Sequence, residues 1–81
     1  MTITASDATK IAADYYESIA QERVRLSVEE IEHDNAEGVW LITLGIAEAL
    51  GSFGGSRAKE YKTFKINIDT GDVLSMKIRK V

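Results

Sequence analysis

Apolar positions along the chain change their period once, near Arg23. Before it, Ala8, Ile11, Ala12, Tyr15 and Ile19 recur at helical spacing, with Lys10, Asp14, Glu17 and Ser18 on the other side. Tyr16 stands at the border of that stripe. Thr4 has the chemistry of an N-cap, and Asp7 three residues on completes a capping-box variant that puts negative charge at the positive helix end. A helix over about 4–21 follows. After Arg23 the period is two: Val24, Leu26 and Val28 alternate with Arg25, Ser27 and Glu29, and Ile31 arrives one residue late. That slip predicts a β-bulge at Glu29–Glu30, with a short helical turn as the alternative.

Three further strands are legible. Residues 39–47 are dense in β-branched and aromatic types, with Trp40, Ile42, Leu44 and Ile46 facing the helix. The strand over 59–68 turns Phe64, Ile66 and Ile68 inward and Tyr61, Thr63, Lys65 and Asn67 outward. The strand over 73–81 turns Leu74, Met76 and Ile78 inward, leaving Val73 outside. Polar residues from His33 to Gly38 join the first two of the four strands, over about 23–32 and 39–47. Asp69-Thr70-Gly71-Asp72 joins the last two, Gly71 supplying a positive φ. Short connections make neighbours antiparallel. The expected fold is one α+β domain spanning residues 1–81: an N-terminal helix packed on a four-stranded antiparallel meander.

Composition narrows the chemistry. The chain has 81 residues, no Cys, no Pro and one His. Disulfides, a thiol nucleophile, a zinc finger and a two-His metal site are therefore excluded. So small a chain buries only about 60% or slightly more of the surface its unfolded form exposes, and without covalent staples its core must suffice or a partner must help. No basic leader and no run of about 18 apolar residues is present, so the cytoplasm is the default compartment and no membrane partner is expected.

The net charge of −3 conceals two unlike halves, −7 over residues 1–50 and +4 over residues 51–81. The outward set Lys59, Lys65, Lys77 and Arg79, with Tyr61 among them, has the makings of a nucleic-acid surface. A sequence pI near 5.0 argues against it, and alternating Lys on a sheet is ordinary edge protection. Nucleic acid is not the expected partner.

Other constellations reduce to structure. Gly51-Ser52-Phe53-Gly54-Gly55-Ser56-Arg57 is rich in backbone donors, yet it lacks the Gly-Lys-Ser/Thr ending of a phosphate loop and leads into a strand. It reads as a long hairpin connection, with a recognition loop as the alternative: Phe53 an apolar anchor and Arg57 a polar one. His33, Asp34 and Glu37 beside Glu30 and Glu32 miss the spacing of a calcium loop and read as a solvated turn. Asp69-Thr70-Gly71 matches the aspartic-protease triplet in letters only, in a chain too short for a two-lobed enzyme. No catalytic, metal or cofactor set emerges.

Two segments resemble the PepSY family. Ile3-Thr4-Ala5-Ser6-Asp7-Ala8-Thr9-Lys10-Ile11-Ala12 is similar to its opening helix. Tyr61-Lys62-Thr63-Phe64-Lys65-Ile66-Asn67-Ile68-Asp69-Thr70-Gly71-Asp72-Val73-Leu74 is similar to its closing hairpin. The resemblance covers under half of the chain. It implies a cystatin-like module that binds rather than catalyses, with a peptidase-type protein as partner and restraint by occlusion as mechanism; no residue inherits a catalytic role. The sequence departs from the family's pattern in three ways: no export signal is visible, no attached peptidase domain is seen, and the Gly51–Ser56 loop is longer than expected. In a single-layer sheet the helix-free face has no internal cover. The residues expected to contact a partner are Leu41, Phe53, Arg57, Tyr61, Lys65 and Lys77, with Val73 on the same face. A structural homodimer and a small-ligand carrier, its pocket lined by Tyr15, Tyr16 and Trp40, are the alternatives.

Overall fold

The structure, a computed structural model, describes residues 2–20, 24–48 and 60–79. The Gly51–Ser56 segment, with Phe53, and the neighbouring Arg57 lie outside them. One helix, α1 (Ala5–Ala20), precedes four strands: β1 (Val24–Asp34), β2 (Val39–Glu48), β3 (Glu60–Asn67) and β4 (Val73–Arg79). The strands form one sheet in the order β1-β2-β3-β4, every neighbour antiparallel. This is the α+β meander that the periodicity predicts.

The helix start is built as its sequence prescribes. The Thr4 backbone N–H donates to Asp7 Oδ2 at 3.0 Å, and the Asp7 N–H donates to Thr4 Oγ1 at 3.1 Å. The backbone bond from Thr4, then its hydroxyl, holds the Asp7 carboxyl below its ordinary range. Ahead of the cap, the Ile3 N–H donates to the Ile68 carbonyl at 2.8 Å and the Trp40 indole N–H donates to the Ile3 carbonyl at 3.1 Å. The helix is thus tied to β2 and to the turn after β3 before it begins.

Its buried row differs from the expected one. Ala8 and Ala12 are fully buried and bring the helix close to the sheet, so the residue in line with them, Tyr16, is the aromatic that goes under, at 8 % exposed. Tyr15 lies about 100° around the helix from it. It is 39 % exposed and meets the Phe64 ring edge-on, centroids 6.3 Å apart at 84°. Ile19, on the same flank, is exposed too. The core closes on Ile42, Leu44 and Ile46 of β2 and Phe64 and Ile66 of β3.

Both described hairpin turns use glycine at positive φ, Gly38 at 66° and Gly71 at 81°. Asn67 organises the second: its side-chain oxygen accepts from the N–H groups of Asp69 at 2.8 Å and Thr70 at 3.0 Å. The anticipated bulge is present. Val28 faces Leu44 and Glu30 faces Thr43, leaving Glu29 as the extra residue.

A second irregularity corrects the assignment of β4. Lys65 faces Ser75 while Ile66 faces Val73, so Leu74 is the supernumerary residue. Val73 consequently packs against the core, and Leu74 is 53 % exposed. The inward–outward assignment of this pair is reversed relative to simple alternation. Strict alternation resumes with Met76, which packs against the core; Ile78, two residues on, is 68 % exposed.

Candidate functional site

The face of the sheet away from α1 carries the expected contact residues, and the register ranks them in rows. Glu32, Leu41, Lys65 and Ser75 form one row, Glu30, Thr43, Thr63 and Lys77 the next, and Ser27, Gly45, Tyr61 and Arg79 the third. Leu41, Tyr61, Lys65 and Lys77 therefore share one face, within three successive rows. Phe53 and Arg57 fall outside the described residues, and Val73 belongs to the opposite face.

This face is covered in part by its own side chains. Arg79 reaches from β4 across two strands to Glu30 on β1: its Nη1 donates to Glu30 Oε1, and Nη2 lies 3.4 Å from Glu30 Oε2. On the way Nη1 stands 3.3 Å from Thr43 Oγ1, whose hydroxyl is paired with that of Thr63 at 2.9 Å. Thr43 is only 3 % exposed in consequence, although it lies on a face that no second layer covers. The hydrogen bond from Arg79 holds the Glu30 carboxyl below its ordinary range, and the same bond raises Arg79 further. Both groups are exposed, so the bond arranges the surface more than it stabilises the fold. Lys65 Nζ donates to Glu37 Oε1 at 3.1 Å, tying β3 to the β1–β2 turn. What remains is a small apolar centre, half-buried Leu41 and Tyr61, framed by charge. Acidic residues stand on β1 and basic ones on β3 and β4.

The acidic turn is structural in part. Asp34 Oδ1 accepts from the Glu37 N–H at 3.1 Å. His33 is not in that turn but near the end of β1, stacked on Trp40 with centroids 4.7 Å apart. Among the described residues no group of three or more His, Asp or Glu is placed to hold a metal ion, and no helix is long and apolar enough to cross a membrane. Tyr15, Tyr16 and Trp40 are engaged in the packing and hydrogen bonding described above.

Sequence reasoning missed two features. One is the Arg79 strap, which joins residues 49 apart in the chain and so leaves no local signal. The other is where large apolar side chains stay exposed: Val28 and Ile31 on one edge strand, Leu74 and Ile78 on the other, and Tyr15 and Ile19 on the helix flank. The bulge in β4 could have been suspected from Val73-Leu74, two adjacent aliphatics in a strand that otherwise alternates. Comparison with protein-family models, with curated proteins and with solved structures finds no match in any of the three.

Proposed function

We propose that this chain is a non-catalytic protein-binding module. It engages a peptidase-type protein through the helix-free sheet face around Leu41, Tyr61, Lys65 and Lys77, and restrains that partner by occlusion. The observation that carries the reading is the one-sided architecture: the only described helix covers one face, and the other presents Leu41 and Tyr61 inside a charged rim. An apolar centre with a polar border is the usual anatomy of a protein-binding patch. The peptidase identity of the partner rests on the PepSY resemblance of the opening helix and the closing hairpin. Occlusion needs no reacting group, in keeping with a surface built from Thr, Leu, Tyr and paired charges. The packing of Tyr15, Tyr16 and Trp40 favours this reading over a ligand carrier, because the aromatics that would line a pocket are already used.

Inhibition assays test it. The purified chain is titrated against a serine, a cysteine and a metallopeptidase, with Leu41→Asp and Tyr61→Ala alongside. Expected is dose-dependent loss of activity for at least one class, weakened about tenfold or more by either substitution, a change of about 1.4 kcal/mol. No inhibition of any class at about 100 μM, weaker than any useful protein contact, refutes peptidase restraint. Undiminished inhibition by both variants refutes the face. Phe53→Ala in the same assay measures the share of the Gly51–Ser56 segment.

A further inference from the structure

The two most exposed large apolar residues described, Ile78 at 68 % and Leu74 at 53 %, both lie on β4, which is an edge strand. An edge strand presents unpaired backbone N–H and C=O groups, and native proteins usually guard such edges with charge, bulges or cover. On β1 that protection is evident: a bulge at Glu29 and the carboxylates of Glu29, Glu30, Glu32 and Asp34. On β4 the bulge sits at the strand's beginning, and from Ser75 to Arg79 the pairing with β3 is regular. Of its two charges, Arg79 is drawn away across the outer face to Glu30. Among the described residues of β4, Lys77 alone guards the edge.

We infer that β4 is the docking edge for a second copy of this chain, the two β4 strands pairing antiparallel about a two-fold axis into one eight-stranded sheet. Directly opposed residues in such a pair must project from the same face, so each register centres on a residue facing itself. A centre at Lys77 sets two ammonium groups opposite one another, which is unfavourable. A centre at Met76 avoids this. It places Met76 against Met76, Lys77 against the small hydroxyl of Ser75, and Ile78 against the Val73-Leu74 bulge of the partner strand. Exposed Ile78 then gains an apolar neighbour, and no like charges are opposed. Pairing of β4 with the acidic β1 of another copy would satisfy charge but leaves a free edge at each end, and it must accommodate the Glu29 bulge. The closed two-fold dimer is the arrangement that the residue pattern favours. A strand this short buries a small interface, so the dimer forms in the micromolar range or weaker. It shares only Lys77 with the peptidase-binding face proposed above and does not depend on that reading.

Sedimentation equilibrium from about 5 μM to about 1 mM, a range bracketing such affinities, tests the proposal on the full chain. The wild type shows a monomer–dimer equilibrium, Ile78→Lys weakens it at least tenfold, and Tyr61→Ala leaves it unchanged. Ile78 is exposed, so its substitution spares the core, and circular dichroism of Ile78→Lys verifies the fold. The chain has no Cys, so a single introduced thiol reports the register. Met76→Cys oxidises to a covalent dimer, and Lys77→Cys does so much more slowly. A monomer at every concentration, growth beyond the dimer, or dimerisation unaffected by Ile78→Lys overturns the inference. Loss of dimerisation in Tyr61→Ala but not in Ile78→Lys also overturns it and assigns self-association to the outer face instead.

Discussion

Gly71 couples the β3–β4 turn to the helix, and its substitution separates two effects that usually arrive together. Its φ of 81° lies where an L side chain costs about 1–2 kcal/mol. Replacing Gly by Ala also reduces the freedom of the unfolded chain, offsetting about 0.4–1 kcal/mol. A Cβ at Gly71 would stand 3.1 Å from Ile11 Cδ1, so the end of the Ile11 side chain must yield by a few tenths of an ångström, a torsional adjustment of about 0.5 kcal/mol. Gly38 supplies the reference. Its φ is 66°, but a Cβ there meets only Ile68 Cγ2 at an ordinary 3.9 Å. Gly38→Ala should therefore cost about 0.5–1 kcal/mol and Gly71→Ala about 1–1.5. For a chain of this size the latter lowers Tm by roughly 5–10 °C. Ile11→Val deletes the Cδ1 methyl, and in that background Gly71→Ala should cost no more than Gly38→Ala. Urea unfolding of the four chains of the Gly71–Ile11 cycle, with Gly38→Ala beside them, reads the coupling directly. If Gly71→Ala costs no more than Gly38→Ala, or if Ile11→Val leaves its cost unchanged, the contact between turn and helix is refuted.

Three further outcomes follow from the geometry. Thr4→Ala removes the hydroxyl that accepts from the Asp7 N–H and should cost about 1 kcal/mol, read as a lower urea midpoint and faster exchange of the first helical amides. Thr43→Val leaves Thr63 without its 2.9 Å partner beneath Arg79 and should cost about 1 kcal/mol. The double variant Thr43→Val/Thr63→Val should recover part of it, and equal costs for the single and double variants would contradict the pairing. Asp7 and Glu30 are both held below their ordinary range by hydrogen bonds, to Thr4 and Arg79 respectively, so the unfolded chain takes up protons first on acidification. The stability these bonds add is present above the ordinary carboxylate range and is lost as pH falls through it to the lower folded values. Thermal unfolding followed against pH should show a smaller acid loss for Glu30→Gln than for the wild type.

Much of the architecture was legible because its signals are local. Thr4 and Asp7 announce a helix start three residues apart, the late arrival of Ile31 marks a bulge, and Asp-Thr-Gly-Asp marks a turn. What escaped depends on contacts distant in sequence. Whether Tyr15 or Tyr16 is buried depends on how closely Ala8 and Ala12 approach the sheet, which a periodic stripe cannot resolve between adjacent residues. The bulge at Leu74 carries no polar interruption, so alternation puts Val73 on the wrong face and Leu74 in the core. The outer face was expected to be bare, and Arg79 crosses it to a partner 49 residues away. The candidate surface accordingly divides in two: a partly strapped outer face centred on Leu41 and Tyr61, and an apolar β4 edge that alternation had counted as core.

Amide hydrogen exchange measured at two protein concentrations, about 10 μM and about 1 mM, brackets the expected dimer affinity and tests this assignment of surfaces most directly. With β4 as the docking edge, the amides between Ser75 and Arg79 that point away from β3 gain protection with concentration, while the free edge of β1 exchanges at the same rate in both samples. Concentration-dependent protection of β1 instead, or none in either edge strand, would contradict it.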